Sequence, residues 1–212
     1  MMSDLSPGTA YGKWAATYDA TGNLTRDLDA LVTNRVLGKL KFDSVIEFGC
    51  GTGKNTRLFA KIGKKVVALD TSPAMIGEAK KKVRSRNVSF AIADISKTWP
   101  VADRSTDLVS CNLILEHVRD LNRVFSEASR SLRKRGRFFV CELHPYRQMD
   151  GKKATFSVDG KKVTIRAFQH HVSEFLTAAR DAGFELSELK EWWHKKDKHE
   201  PPHLLSVIFV KR

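Results

Sequence analysis

The stretch "SVIEFGCGTGKN", residues 44–55, decides how this chain folds. A short apolar run, Val45 to Phe48, gives way to three glycines on alternate positions, Gly49, Gly51 and Gly53. The run reads as a buried strand. The glycines read as a sharp turn in which the backbone bends tightly and a ligand can touch main chain directly. The next segment, "KNTRLFAKIG", has helical spacing and closes at Gly63. A strand, a glycine turn and a helix in that order open a doubly wound α/β unit, in which ligands bind beyond the carboxyl ends of the strands.

The alternation continues outward. "KKVVALD" is a second strand ending at Asp70, and "SPAMIGEAKKKVRSR" a helix with Ser72 as N-cap and Pro73 in its first turn. "NVSFAIAD" is a third strand ending at Asp94, and "STDLVSCN" a fourth. The helical "VRDLNRVFSEASRSLRKRG" follows, then a fifth strand, "GRFFVCEL". Short connections between alternating elements imply parallel pairing with helices on both faces. "ATFSVDGKKVTIRAF" reads as a hairpin turning at Asp159-Gly160. A helix, "HVSEFLTAARDAGF", and two strands, "ELSELKEWW" and "LLSVIFVKR", complete a seven-stranded, mostly parallel sheet. Ahead of the first strand, Tyr11, Trp14 and Tyr18 share one face of a helix, and Leu24, Leu28, Leu31, Val32 and Val36 share one face of the next. One domain spans residues 1–212: helices over 1–40, a ligand-binding core over 42–142, an insertion over 143–171, and a closing helix and strands over 172–212.

Length and composition agree with one globular unit. Of 212 residues, 42% are hydrophobic, enough for a single core. The formal charge of +13 raises the question of a polyanionic partner, yet the basic residues come in short clusters placed at expected helix ends and turns. Cys50, Cys111 and Cys141 are odd in number and lie in or at the ends of expected strands, which fits buried thiols in a reducing, cytoplasmic compartment. The opening "MMSDLSPGTA" lacks the apolar stretch of a signal peptide, and "LLSVIFV" is too short to cross a bilayer, so no membrane partner is expected.

Three ligand classes use glycine turns of this kind. A phosphate-binding P-loop needs a glycine at position 48 and Ser or Thr at 55, where this chain has Phe48 and Asn55. A dinucleotide fingerprint needs its third glycine one place later, where Lys54 stands. Glu47, two residues before the first glycine, would repel a pyrophosphate but attract a cation. S-adenosylmethionine fits best: a nucleoside without phosphate that carries a sulfonium and an amino group. Asp70 is placed to accept hydrogen bonds from a ribose diol, and Asp94 from an exocyclic adenine amine.

The motifs "VIEFGCGTG", "VVALDTSPAMI", "AIADI" and "DLVSCNLILEHV", in that order, resemble the successive motifs of class I S-adenosylmethionine-dependent methyltransferases. The small-molecule enzymes of the ubiquinone/menaquinone-biosynthesis-like group are the nearest likeness, strong over residues 11–142. The resemblance implies the Rossmann-like fold of that family and a role for each matching position. Gly49, Gly51 and Gly53, with Glu47 and Cys50 beside them, would run under the amino-acid part of the cofactor. Asp70 would hold the ribose with Thr71, Ser72 and Met75 beside it, while Asp94 and Ile95 would meet the adenine. Asn112 and Leu113 would lie by the methionine moiety, and Tyr11, Trp14 and Tyr18 would lid the pocket. The family's insertion after the fifth strand covers the acceptor, so 145–171 is expected to shape substrate choice.

Methyl transfer is an in-line substitution, helped by a base when the nucleophile is a hydroxyl or a carbon acid. His144, in "ELHPY", is the preferred base, with Tyr146 nearby; His117, in "LEHV", is expected to line the cofactor pocket. His170 and His171 precede the last helix. Neither "HHVSE" nor His194, His199 and His203 forms a recognisable ligand set, so no metal is expected. A small-molecule acceptor is favoured. A nucleic-acid acceptor stays open on charge, although "SCNL" lacks the tetrad of base amino-methyltransferases and no Pro precedes Cys111. A non-catalytic cofactor sensor is the remaining alternative.

Overall fold

The computed structural model describes residues 6–20, 22–151, 154–158, 161–197 and 200–212. Helices α1 (Pro7–Trp14) and α2 (Leu24–Leu37) precede the first strand. The core then alternates β1 (Phe42–Phe48), α3 (Thr56–Ile62), β2 (Gly63–Asp70), α4 (Pro73–Lys82), β3 (Val88–Ile92), β4 (Thr106–Asn112), α5 (Leu121–Ser131) and β5 (Leu132–Leu143). After a short helix α6 (Pro145–Met149) come a hairpin, β6 (Thr155–Val158) and β7 (Lys161–Thr164), then α7 (Val172–Asp181), β8 (Phe184–Trp192) and β9 (Leu204–Lys211).

Seven strands form one sheet in the order β3-β2-β1-β4-β5-β9-β8. β1 to β5 pair in parallel, and β9 runs antiparallel between β5 and β8. Strand order reverses between β1 and β4, so a crevice opens beyond their carboxyl ends. Side chains alternate across the sheet. Phe138 and Val140 of β5 join Val124, Phe125 and Phe175 under α5 and α7. Phe139 and Cys141 join Leu28, Val32 and Phe59 under α2 and α3. The three thiols are free and buried. No helix among the described residues is long and apolar enough to cross a membrane.

Several segments depart from the sequence expectation, each for a local reason. Helix α1 stops at Trp14, and Tyr18 lies in the turns that follow. It still meets its neighbours, with ring centroids 4.8 Å from Trp14 and 6.1 Å from Tyr11. On α2 the buried face carries Leu28, Asp29, Val32, Thr33 and Leu37, whereas Leu24 and Leu31 are exposed. The helix is rotated from its apolar stripe because Asp29 finds polar partners inside. Strand β3 ends at Ile92, so Asp94 stands two residues beyond it. Helix α5 stops at Ser131, and "LRKRG" belongs to β5, not to the helix. Thr106 pairs with Leu132 and Leu108 with Arg137, so residues 133–136 bulge out opposite Asp107. His144 is the N-cap of α6, a short helix the sequence reading did not expect. The hairpin over 154–168 forms as β6 and β7; its expected turn at 159–160 lies outside the described residues.

Candidate active site

A cavity of about 720 Å³ opens at the carboxyl ends of β1, β2 and β4, roofed by the segment from Ser6 to Tyr18. The glycine turn forms its floor. Gly49, Gly51 and Gly53 all have positive φ, at +72°, +51° and +86°, where side chains are strained. Two of them are also hemmed in: a Cβ on Gly49 would lie 2.7 Å from Ile114 Cδ1, and one on Gly53 2.9 Å from Val83 Cγ2. A Cβ on Gly51 would meet no protein atom within 4 Å, and Gly51 lines the cavity. The Asp70 carboxylate holds the turn in place. Its Oδ2 accepts from the Gly51 N–H at 2.8 Å and its Oδ1 from the Ser72 N–H at 2.9 Å. Burial pushes its carboxyl up from the usual range, and these backbone N–H groups oppose the shift.

Most residues singled out in the sequence come together here. Tyr11, Tyr18, Glu47, Gly49, Cys50, Gly51, Asp70, Thr71, Met75, Asp94, Ile95, Asn112, Leu113 and His117 all line the cavity. Three stand behind it. Gly53 packs on α4. Ser72 caps α4, accepting from the Met75 N–H at 3.3 Å. Trp14 stacks on Phe156 of the hairpin, with centroids 5.0 Å apart and planes 9° apart, and so joins the roof to the insertion. Glu47 is buried, and its Oε2 accepts from the Thr56 hydroxyl at 2.6 Å. Burial raises its carboxyl to about 8.

His144 and Tyr146 are not brought to the cavity, which corrects the expectation of a base there. The His144 ring is buried, its Nδ1 accepts from the Tyr146 N–H at 3.3 Å, and its Nε2 donates to Glu191 at 3.0 Å. Tyr146 points outward and stacks on that ring at 5.2 Å. With both nitrogens engaged, His144 fastens α6 to β8. His117 takes the position at the cavity. Its Nδ1 lies 2.7 Å from the Arg166 carbonyl, which only accepts, so Nδ1 carries the hydrogen. Nε2 is left with a lone pair that accepts from the Tyr11 hydroxyl at 3.0 Å. Burial lowers the His117 pKa and keeps the ring neutral.

Sequence reading missed the polar floor beneath the turn. Asp29 Oδ1 accepts from Asn112 Nδ2 at 2.6 Å and Oδ2 from Asn55 Nδ2 at 2.7 Å, with Thr33 one turn on. The signal was Asp29 and Thr33 at i, i+4 beside the apolar stripe of α2. Glu142 was also passed over. Its Oε1 accepts from the N–H groups of Ile114 and Leu115 at 3.0 and 2.9 Å, and burial raises it to about 8. These bonds hold the loop after β4, where Leu113 has a positive φ of 53°.

A methyltransferase-domain family model matches residues 46–140, the β1-to-β5 core that carries this turn. An uncharacterised methyltransferase of Emericella nidulans is 30% identical over 85% of this chain and 76% of its own length. The chain belongs to the S-adenosylmethionine-dependent methyltransferases. A malonyl-[acyl-carrier protein] O-methyltransferase of Serratia marcescens is 28% identical to this methyltransferase over 79% of the chain and 61% of its own length. An S-adenosylmethionine-dependent methyltransferase from Mesorhizobium loti shares the fold, with a TM-score of 0.75 at 19% identity over 89% of this chain and all of that one. The cofactor of the methyltransferase is therefore S-adenosylmethionine.

Proposed function

We propose that the cavity holds the cofactor as the sequence motifs imply and that the acceptor is an uncharged small molecule deprotonated by His117. The observation that carries the reading is the pairing of the open Gly51 turn with the Asp70 carboxylate on one cavity wall. Each Asp70 oxygen accepts one backbone bond and keeps a second lone pair for a ribose hydroxyl. Gly51 leaves room where any side chain would stand against the methionine part. Asp94 and Ile95 suit the adenine amine and ring face, and Glu47 and Asp29 suit the cofactor's cationic end. The donor set is rich in carboxylates and free of a phosphate cradle, which fits a sulfonium nucleoside.

When bound, S-adenosylmethionine supplies an electrophilic methyl group on a positive sulfur. The chain supplies alignment and a place for a proton. His117 Nε2 already holds the Tyr11 hydroxyl, so the acceptor's proton passes to it through that hydroxyl, and Glu116 Oε1, 3.7 Å away, faces the positive ring that then forms. The cations that line the cavity are already engaged. Lys54 pairs with Asp27, and Arg26 donates to the Tyr18 carbonyl at 2.5 Å and lies over the Tyr18 ring. No cation of the lining is therefore left for an anionic acceptor such as the malonyl substrate in the name of the Serratia relative. Sparse, unpaired, buried cysteines support a cytoplasmic setting.

Calorimetry with S-adenosylhomocysteine, followed by an acceptor panel of phenols, quinols and carboxylic acids, tests the reading. Asp70→Asn is expected to weaken binding about tenfold, a loss near 1.4 kcal/mol for one charge-assisted bond. Unchanged affinity in that variant, or turnover confined to the acids, refutes it.

A further inference from the structure

The charge of +13 is not spread evenly over the molecule. A second groove, of about 510 Å³, lies where β1, β2 and β5 begin, and so at the far end of the sheet from the methyl-transfer cavity. At ~3.3 Å per residue the seven residues of β1 put roughly 20 Å between the two. Lys41, Lys61, Lys64, Lys134, Arg135 and Arg137 line this groove. Its two carboxylates are spoken for: Asp43 pairs with Lys64 at 2.7 Å, and Asp107 pairs with Arg133 at 2.7 Å and accepts from the Ser44 N–H at 2.9 Å. Five cations of the lining have no carboxylate partner among the described residues.

The backbone is built to present them. Arg133 to Gly136 leave the β4–β5 ladder as a bulge. Arg135 sits at φ +67°, and a Cβ on Gly136 would lie 2.8 Å from the Arg133 carbonyl oxygen. Packing thus fixes the bulge, and it carries Lys134 and Arg135 outward, both exposed. Gathering like charges on rigid turns is repulsive unless an anion joins them.

We propose that this groove docks the phosphodiester backbone of a nucleic acid. The apolar side chains of the lining, Phe42 and Ile62, are buried. The groove therefore offers no aromatic face for a base to stack on, no apolar core for a protein partner, and no hydrophobic surface for a bilayer. Charge is its whole chemistry, and concave rows of Lys and Arg suit a narrow line of phosphates. The docked polymer lies away from the cavity, so it tethers the enzyme and is not its acceptor.

The test is anisotropy of a fluorescent single-stranded 20-nucleotide RNA, titrated with the whole protein between 50 and 200 mM salt. Five phosphate contacts predict a slope of log affinity on log salt of about −3.5, hence a loss of roughly 100-fold across that range. Lys61→Ala/Lys134→Ala/Arg135→Ala is expected to flatten the slope to about −1.4 while S-adenosylhomocysteine binding stays at the wild-type level. Lys41→Ala/Lys61→Ala, which leaves the bulge intact, is expected to lower the slope by about 1.4. No binding at 50 mM salt, a slope unmoved in both variants, or equal competition by polyglutamate or phosphatidylserine vesicles overturns the proposal.

Discussion

Gly51→Ala separates the cost of folding the glycine turn from the cost of filling the cavity. At φ +51° the new methyl forces left-handed backbone, a penalty of ~1–2 kcal/mol. No protein atom lies within 4 Å of the added Cβ, so no packing penalty is added. For a chain of this length the loss lowers Tm by about 2–8 °C. Gly49→Ala pays the same backbone strain and also drives a methyl to 2.7 Å from Ile114 Cδ1. Overpacking adds ~1–3 kcal/mol there, so Gly49→Ala is the less stable variant. Binding should tell a different story. If the cofactor runs against Gly51, the methyl meets ligand, and a similar overpacking cost weakens S-adenosylhomocysteine binding by about 5- to 150-fold. Differential scanning fluorimetry reads the first quantity and calorimetry the second. Wild-type affinity in Gly51→Ala, or a Gly51→Ala protein less stable than Gly49→Ala, would falsify the assignment of the turn.

Two further outcomes follow from the buried acids and the histidines. Glu47 has its pKa raised to about 8 when folded, so the folded state holds a proton that the unfolded state releases above about 4.5. Its contribution to stability is complete below pH 4.5 and is lost as pH climbs toward 8, with a slope approaching ~1.4 kcal/mol per pH unit. Glu47→Gln keeps the Thr56 hydrogen bond and removes that slope, so the ligand-free variant should gain stability over wild type between pH 5 and 8; parallel pH profiles of Tm would count against the buried proton. His117→Gln is expected to slow transfer to a hydroxyl acceptor by about 10²–10⁴, whereas His144→Ala lowers Tm and leaves kcat at the wild-type level. The reverse pattern in steady-state kinetics would return the base to His144.

The sheet was legible because its signals are local. Each parallel strand is an apolar run ending in a turn residue, and Gly49, Asp70 and Asn112 mark three of those ends. The cavity-lining residues were legible for the same reason, since strand ends are where ligands sit in this architecture. What escaped reading depends on contacts distant in sequence. Asp29 is polar on a helix whose apolar stripe argues for another face, and Asn55, from the loop after β1, and Asn112, at the end of β4, hold it inward. His144 and His117 each follow a strand and looked alike in sequence. Glu191, 47 residues away, claims one, and Tyr11, 106 residues away, reaches the other. The bulge at 133–136 was hidden because Arg and Lys suit a helix end as well as a displaced strand.

The stack of Trp14 on Phe156 joins a helix made before the first strand to a hairpin made after the fifth, and it does so above the cavity. One pair of rings is thus a mechanical link between two distant stretches of the chain, and a displacement of the hairpin is felt by the roof through that stack.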